Sequence, residues 1–402
     1  MVARAVKHSS RLREIPSAIW ALGFVSLLMD VSSEMIHALL PVYLVTALGA
    51  SFEAVGWIEG VAEATASITK VFSGAFSDWL GRRKLLAVIG YGLAAMTKPV
   101  FPLAHSIGLI VAARFLDRVG KGIRGAPRDA LVASLAPPHL RGASIGLRQT
   151  LDTVGAFLGP LIAIGLMVLT ADRFEVVFWI AVLPAFLAVA VLAFGVREPE
   201  QPARLARFPL RASELSQLSP TFWMVVGLSA VFTLARFSEA FLILRAGGAG
   251  LPIALAPAVL VVMNVVYAAA AYPAGAVSDR YGRVLLLGLG FIVLIASDLV
   301  LGLASQLWVI GLGVALWGLH MGLTQGVLAA LVADTTPEKW RGTAYGLFNL
   351  VSGAAMLAAS AFAGFLWDRI GPQAPFLGGA TFAFVALLLL SGFRRTGVPA
   401  RR

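Results

Sequence analysis

The stretch "GAFSDWLGRRKLL", Gly74–Leu86, returns 201 residues later as "GAVSDRYGRVLLL", Gly275–Leu287. A second pair keeps almost the same spacing. "ALVASLAPPHLRGASIGL" begins at Ala130 and "ALVADTTPEKWRGTAYGL" at Ala330, a shift of 200. Two copies in the same order mark two halves built on one plan. Between them lies the longest polar segment, "REPEQPARLARFPLRASELSQLS", 197–219, with three prolines. The expected organisation is therefore an N-terminal half over 1–196, a linker over 197–219 and a C-terminal half over 220–402.

The composition names the solvent. Of 402 residues, 59% are hydrophobic and 13% charged, against about 45–50% and about 25% in soluble domains. Apolar runs of roughly 20 residues recur along the chain, the length that crosses a ~30 Å hydrocarbon core as a helix. Twelve spans are expected, near 16–48, 52–80, 84–104, 106–134, 141–169, 174–196, 220–246, 251–279, 284–304, 306–333, 341–368 and 374–394. The fold class is an all-α polytopic membrane protein, twelve transmembrane helices in two six-helix pseudo-repeats. Asp30 and Glu34 interrupt the first apolar run, which continues to about Leu48, so it reads as a retained helix rather than a cleaved signal.

Lys and Arg set the orientation. With both termini inside, cytoplasmic segments hold Arg4, Lys7, Arg11, Arg13, Arg82, Arg83, Lys84, Arg141, Arg197, Arg204, Arg207, Arg211, Arg280, Arg283, Lys339, Arg341, Arg394, Arg395, Arg401 and Arg402. The opposite side holds Arg173, Arg369 and Arg245. Twenty against three predicts cytoplasmic termini and an even helix count, in a multi-pass protein of the cell's inner (plasma) membrane. The net charge of +11 is read as topology, not as nucleic-acid binding.

The repeated loop has the form G-x-x-x-D-x-x-G-R-[RK], at Gly74, Asp78, Gly81, Arg82 and Arg83, with a weaker copy at Gly275, Asp279, Gly282 and Arg283. The fifth span contains "GAFLGP", Gly155 to Pro160, and the fourth opens R-F-L-x-x-x-G-x-G at Arg114. On these residues the chain resembles the major facilitator superfamily over its whole length. The resemblance implies a twelve-helix transporter. The Gly-x-x-x-Gly-Pro element is similar to that of the antiporter branch. Asp117, Arg118 and Lys121 stand where the family usually has neutral or small residues. Asp78 can meet a helix N-terminus or a bidentate Arg and latch one conformation. Alternatively it caps a helix while the arginines face headgroups. Arg128 and Asp129, at the cytoplasmic end of the fourth span, are candidates to complete that latch.

Charge inside the spans carries the functional reading. Asp117, Lys121, Arg124 and Arg128 form one helical stripe, and Arg114, Arg118 and Lys121 an adjoining one. A charge at the membrane centre costs ~2.5–3.5 kcal/mol even on the insertion scale, so these stripes must face protein or water. Asp30, Glu34 and His37 share a face of the first span. Glu59 and Glu63 share one in the second, and Arg148 and Asp152 in the fifth. At 1.5 Å per residue Asp30 lies ~21 Å along its helix, and Asp117 and Arg118 lie ~17 Å along theirs, all near the midplane. Asp30, Glu34, Arg114, Asp117 and Arg118 are the expected proton-coupling cluster. A buried carboxylate beside an Arg can alternate between ion pair and protonated acid. The alternative is a static ion network. His37, Glu59, Glu63, Lys121, Arg148, Asp152, Arg236, Glu239 and His320 are candidates for the substrate cavity.

The expected function is a secondary active transporter working by alternating access, exporting small molecules such as amphipathic drugs or metabolites against inward proton flow. One alternative is a carrier of an anionic or chelated solute (organic anion, siderophore or metal complex) held by the basic stripe of the fourth span. Another is a sensor or scaffold without transport. No Ser/His/Asp arrangement suggests an enzyme. Gly120-Lys121 lacks a nucleotide loop's glycines. No spacing demands a metal, and with no cysteine there is no thiolate site. No cofactor beyond the coupling proton is expected. The expected partners are a small solute and the bilayer, with the protein a monomer.

Overall fold

A computed structural model describes residues 14–197, 218–337 and 340–393. The linker and both terminal basic clusters (Arg4 to Arg13 and Arg394 to Arg402), with Lys339, lie outside the described residues, apart from Arg197 and residues 218 and 219 at the linker's ends. Among the described residues the secondary structure is helical, joined by short turns and loops. In chain order the α-helices are α1 Ser17–His37, α2 Leu40–Thr46, α3 Phe52–Leu80, α4 Arg83–Thr97, α5 Val100–Leu103, α6 Ile107–Leu135, α7 Arg141–Leu169 and α8 Phe174–Gly195. After the linker come α9 Pro220–Leu234, α10 Ala240–Gly248, α11 Ala258–Tyr281, α12 Arg283–Leu303, α13 Leu307–Asp334, α14 Arg341–Arg369 and α15 Ala374–Phe393. These fall on the twelve expected spans. Among the described residues, nine helical segments are long and apolar enough to cross a membrane. The other three spans are α3, the charged α6, and the broken α9–α10.

Three expected spans are interrupted. Pro41 has no N–H to give the carbonyl of residue 37, and α1 stops at His37, with the Leu39 N–H bonding Ile36 O at 3.1 Å. Pro99 divides α4 from α5 in the same way. The break at 235–239 contains no proline. There the Ser238 N–H donates to Ser360 Oγ at 3.1 Å, and the Ser238 hydroxyl accepts from the Ala240 N–H at 3.3 Å. The Ser238 hydroxyl thus makes a local side-chain turn just before the helix that follows. Two glycines of the repeated loop are needed for their backbone conformation. Gly81 and Gly282 hold φ of +65° and +93°, a region that costs other L-residues steric strain.

The chain forms two compact units. One holds the described residues up to Leu39 and those from Thr65 to the linker, the other Leu40–Ala64 and the described residues from 218 onward. In the first, Leu22, Val25 and Met29 of α1 bury against Tyr91 and Ala94 of α4 and Ala188 and Leu192 of α8. In the second, Asp368 at the end of α14 caps α3, accepting from the Phe52 and Glu53 N–H groups at 3.3 and 2.7 Å. Phe52 stacks on Trp367 with centroids 4.8 Å apart.

Candidate functional site

Small residues decide where the charges of the first unit sit. The "GAFLGP" glycines of α7 lie against α1. A Cβ on Gly155 would stand 2.5 Å from Leu27 O and 3.1 Å from Asp30 Cβ, and one on Gly159 would stand 2.8 Å from Glu34 Cβ. Only glycine permits so close an approach, as in small-residue helix pairs generally. The Gly-Pro signature thus packs on the two acids of α1. Gly120 of α6 similarly meets Gly90 of α4, with a Cβ there 2.6 Å from Gly90 O.

Asp30 is therefore placed beside α7. Asp152, one turn before Gly155, is its electrostatic neighbour, with Arg124 and Lys121 as nearby positive charges. Asp152 also takes Arg128 Nη1 at 3.3 Å and Arg148 Nη1 at 3.5 Å. Arg128 further donates to Ser26 Oγ at 3.1 Å and to Asp129 Oδ1 at 3.2 Å, and Arg148 donates to Gln149 Oε1 at 2.6 Å. Asp30, Asp152, Arg128, Arg148 and Asp129 thus form one network.

Two further groups lie in the same unit. Glu34 Oε2 and His37 Nδ1 are 3.4 Å apart, with Arg118 and Lys121 as electrostatic neighbours of Glu34. Asp117 is claimed by Lys98, whose Nζ reaches Asp117 Oδ1 at 2.9 Å and Ser33 Oγ at 3.1 Å. Arg118 Nε stands 3.8 Å from Asp117 Oδ2, and Arg114 adds positive charge near Asp117. Lys98, Asp117, Arg114 and Arg118 are only 2–3% exposed. Lys98 was missed by the helical-stripe argument, because it stands alone in an apolar span. The signal was a lone Lys before Pro99.

Within the expected central cluster Arg118 neighbours both Glu34 and Asp117, and each acid also has a partner outside it. Asp30 turns to Asp152, Glu34 to His37, and Asp117 to Lys98. Of the basic stripe, Lys121 is exposed while Arg114, Arg118 and Arg124 are buried, and Arg124 sits 4.6 Å over the Tyr91 ring. Arg128 is engaged with Asp152 and Ser26; the side chain of Asp78, its expected partner in the latch, lies outside those described. Glu59, 1% exposed, and half-buried Glu63 belong to the second unit.

In that second unit Arg236 lies in the break between α9 and α10, its guanidinium 5.8 Å from the Phe232 ring. Glu239 and Tyr267 are its electrostatic neighbours. His320 is fully buried, its ring 5.2 Å from Trp317 and 6.3 Å from Phe232. In the loop copy, Arg283 Nε pairs with Asp334 Oδ2 at 2.8 Å, tying α12 to the end of α13. The side chains of Asp78 and Asp279 lie outside those described; Arg82 is exposed and Arg83 half-buried.

The whole arrangement can be set beside known proteins. The sequence model of the Major Facilitator Superfamily matches residues 22–266 and 242–402. An uncharacterized MFS-type transporter of Methanocaldococcus jannaschii is 35% identical over 394 residues, covering 96% of each chain. This chain belongs to the Major Facilitator Superfamily. The superfamily fold extends to solved structures. A POT family transporter in complex with a thioalcohol-conjugated peptide aligns with a TM-score of 0.80 at 14% identity, over 97% of this chain and 100% of that one. The inner membrane transport protein YajR of Escherichia coli is 25% identical, over 93% of this chain and 82% of that protein. Within the superfamily framework the described helices are those of a multi-pass membrane transport protein.

Proposed function

We propose that the protein is a proton-coupled exporter of small molecules, in which inward proton flow drives an outgoing solute by alternating access. The observation that carries this reading is the Asp30–Asp152 carboxyl pair with Arg128 and Arg148 at its edge. Two neighbouring carboxyls resist double ionisation, while adjacent arginines favour it. A small movement of either arginine therefore changes how firmly the pair holds one proton. The relation to transporters supports the reading of a carrier rather than an enzyme. The bias of Lys and Arg supports cytoplasmic termini, and the relation to an inner membrane transport protein supports that location. A carrier of an anionic solute would instead need the α6 bases on a cavity wall, where Lys121 alone of the first stripe's four members is exposed while Arg124 is buried, as are Arg114 and Arg118 of the second.

The test is proton movement in proteoliposomes carrying a pH gradient, challenged with a panel of cationic, neutral and anionic solutes. A transported solute should dissipate the gradient with the native protein and leave it intact with Asp30→Asn. Dissipation only by anions, unaffected by that substitution, would favour the anion carrier.

A further inference from the structure

We propose that Asp298 and Arg236 form a second proton-exchange pair, in the C-terminal half, switched by the break between α9 and α10. Asp298 lies within α12 and is 0% exposed. Neither carboxyl oxygen has a hydrogen-bond partner among the described residues, and no Lys, Arg or His lies within ion-pair distance of it there. A lone ionised carboxyl in such surroundings is far costlier than its neutral form.

Its surroundings point at the break. A Cβ on Gly379 of α15 would stand 2.8 Å from Asp298 Oδ2 and 3.1 Å from the Ala235 carbonyl oxygen. Acid and break are thus brought together over a glycine, and Ala235 is the residue before Arg236. The Arg236 Nε is buried and has no hydrogen-bond partner among the described residues. Its guanidinium rests near the Phe232 ring, and the residue as a whole is part-exposed. The packed elements carry other charged or titratable groups. α13 offers His320, held between Phe232 and Trp317. α10 offers Arg245, which donates to Leu301 O at 2.8 Å and Ala304 O at 2.5 Å. Glu239 lies at the break, and α11 carries Tyr267 and, toward its far end, Tyr272, Asp279, Arg280 and Tyr281. α13 ends at Asp334, paired with Arg283 of α12, and α14, packed on α9, carries Arg341, Tyr345, Asp368 and Arg369. α15 contributes none.

The other half supplies an internal comparison. The 200-residue shift that relates Ala130 to Ala330 sets Asp298 opposite Lys98 and Trp317 opposite Asp117. In the first half that place holds a closed ion pair at 2.9 Å. In the second it holds an acid alone, with the nearest cation of the break one residue beyond Ala235. In the exchange step the Asp298 O–H bond breaks and the proton passes to water reaching the break. As residues 235–239 rearrange, the Arg236 guanidinium leaves Phe232 and takes up the carboxylate charge. Reprotonation reverses both movements. The pair's role in transport rests on the proton-coupled reading above; its existence as a proton site does not.

Infrared difference spectra of the purified full chain in lipid, titrated from acid to alkaline pH, test this directly. The native protein should lose a protonated-carboxyl band as pH rises, and Asp298→Asn, which keeps the shape and neutrality of the acid, should lack that component. Arg236→Gln should hold the band to a proton concentration about tenfold lower, because the stabilising cation is gone; this arm serves even if Asp298→Asn fails to fold. A titration in which Asp298→Asn matches the native protein, or in which Arg236→Gln shifts nothing, overturns the proposal. Asp30→Asn separates the two readings. If it alone removes a titrating component, the Asp30–Asp152 pair stands and Asp298 is structural. If Asp298→Asn alone does, the reverse holds.

Discussion

Lys98 illustrates how one residue acquires meaning only through its partner. In sequence it is a single cation in an apolar span. In the structure it neutralises Asp117 from another helix and holds Ser33 of a third. Breaking a buried pair by removing one member typically costs ~3–5 kcal/mol, whereas replacing both by apolar groups is often neutral. Lys98→Ala should therefore lower the thermal unfolding midpoint sharply, and Lys98→Met with Asp117→Leu should restore much of it. Equal losses in single and double variants would show that the pair does more than neutralise. Asp30 and Asp152 make the complementary point. Each was legible as an intramembrane acid, since charge at that depth needs a reason. Their adjacency was not, because they stand on helices far apart in sequence and only the α1–α7 packing joins them.

At the scale of the element, the "GAFLGP" stretch shows why some of the site could be read early. Its two glycines were legible as a close-packing surface, and the structure supplies the surface they meet, the Asp30–Glu34 face of α1. Gly159→Leu should drive α7 from Glu34 and abolish transport while the protein still inserts. Gly165→Leu serves as control, since a Cβ there meets nothing within 4 Å. Similar losses in both would remove the packing argument. The breaks in the helices divide by cause. Those at Pro41 and Pro99 follow from local chemistry, a missing N–H and a ring clash. The break at 235–239 was invisible because its supporting bond comes from Ser360, over a hundred residues away. Ser360→Ala should leave the buried Ser238 N–H without its acceptor, at a cost of about 1–3 kcal/mol, readable as a lower unfolding midpoint. No change would mean that the break is held by other contacts.

At the scale of the whole molecule, the repeat and the apolar runs were enough for the fold class, because bilayer thickness and backbone hydrogen bonding leave few alternatives to a helical bundle. What sequence spacing could not give was the partition of Leu40–Ala64 with the later residues, which depends on contacts such as Asp368 with α3. The orientation prediction follows from the basic bias. In this cysteine-free chain, a cysteine at Ala203 should label only from the cytoplasm and one at Gly250 only from outside. Reversed labelling would overturn the topology.

The central claim is that a proton held by the Asp30–Asp152 pair is exchanged during transport. Its most direct test counts protons released or taken up by the purified protein when a transported solute is added, read with a pH dye in weakly buffered detergent solution. A solute-dependent proton signal should appear with the native protein and be lost in both Asp30→Asn and Asp152→Asn, while solute binding survives in at least one of them. A full proton signal in both variants would contradict the claim.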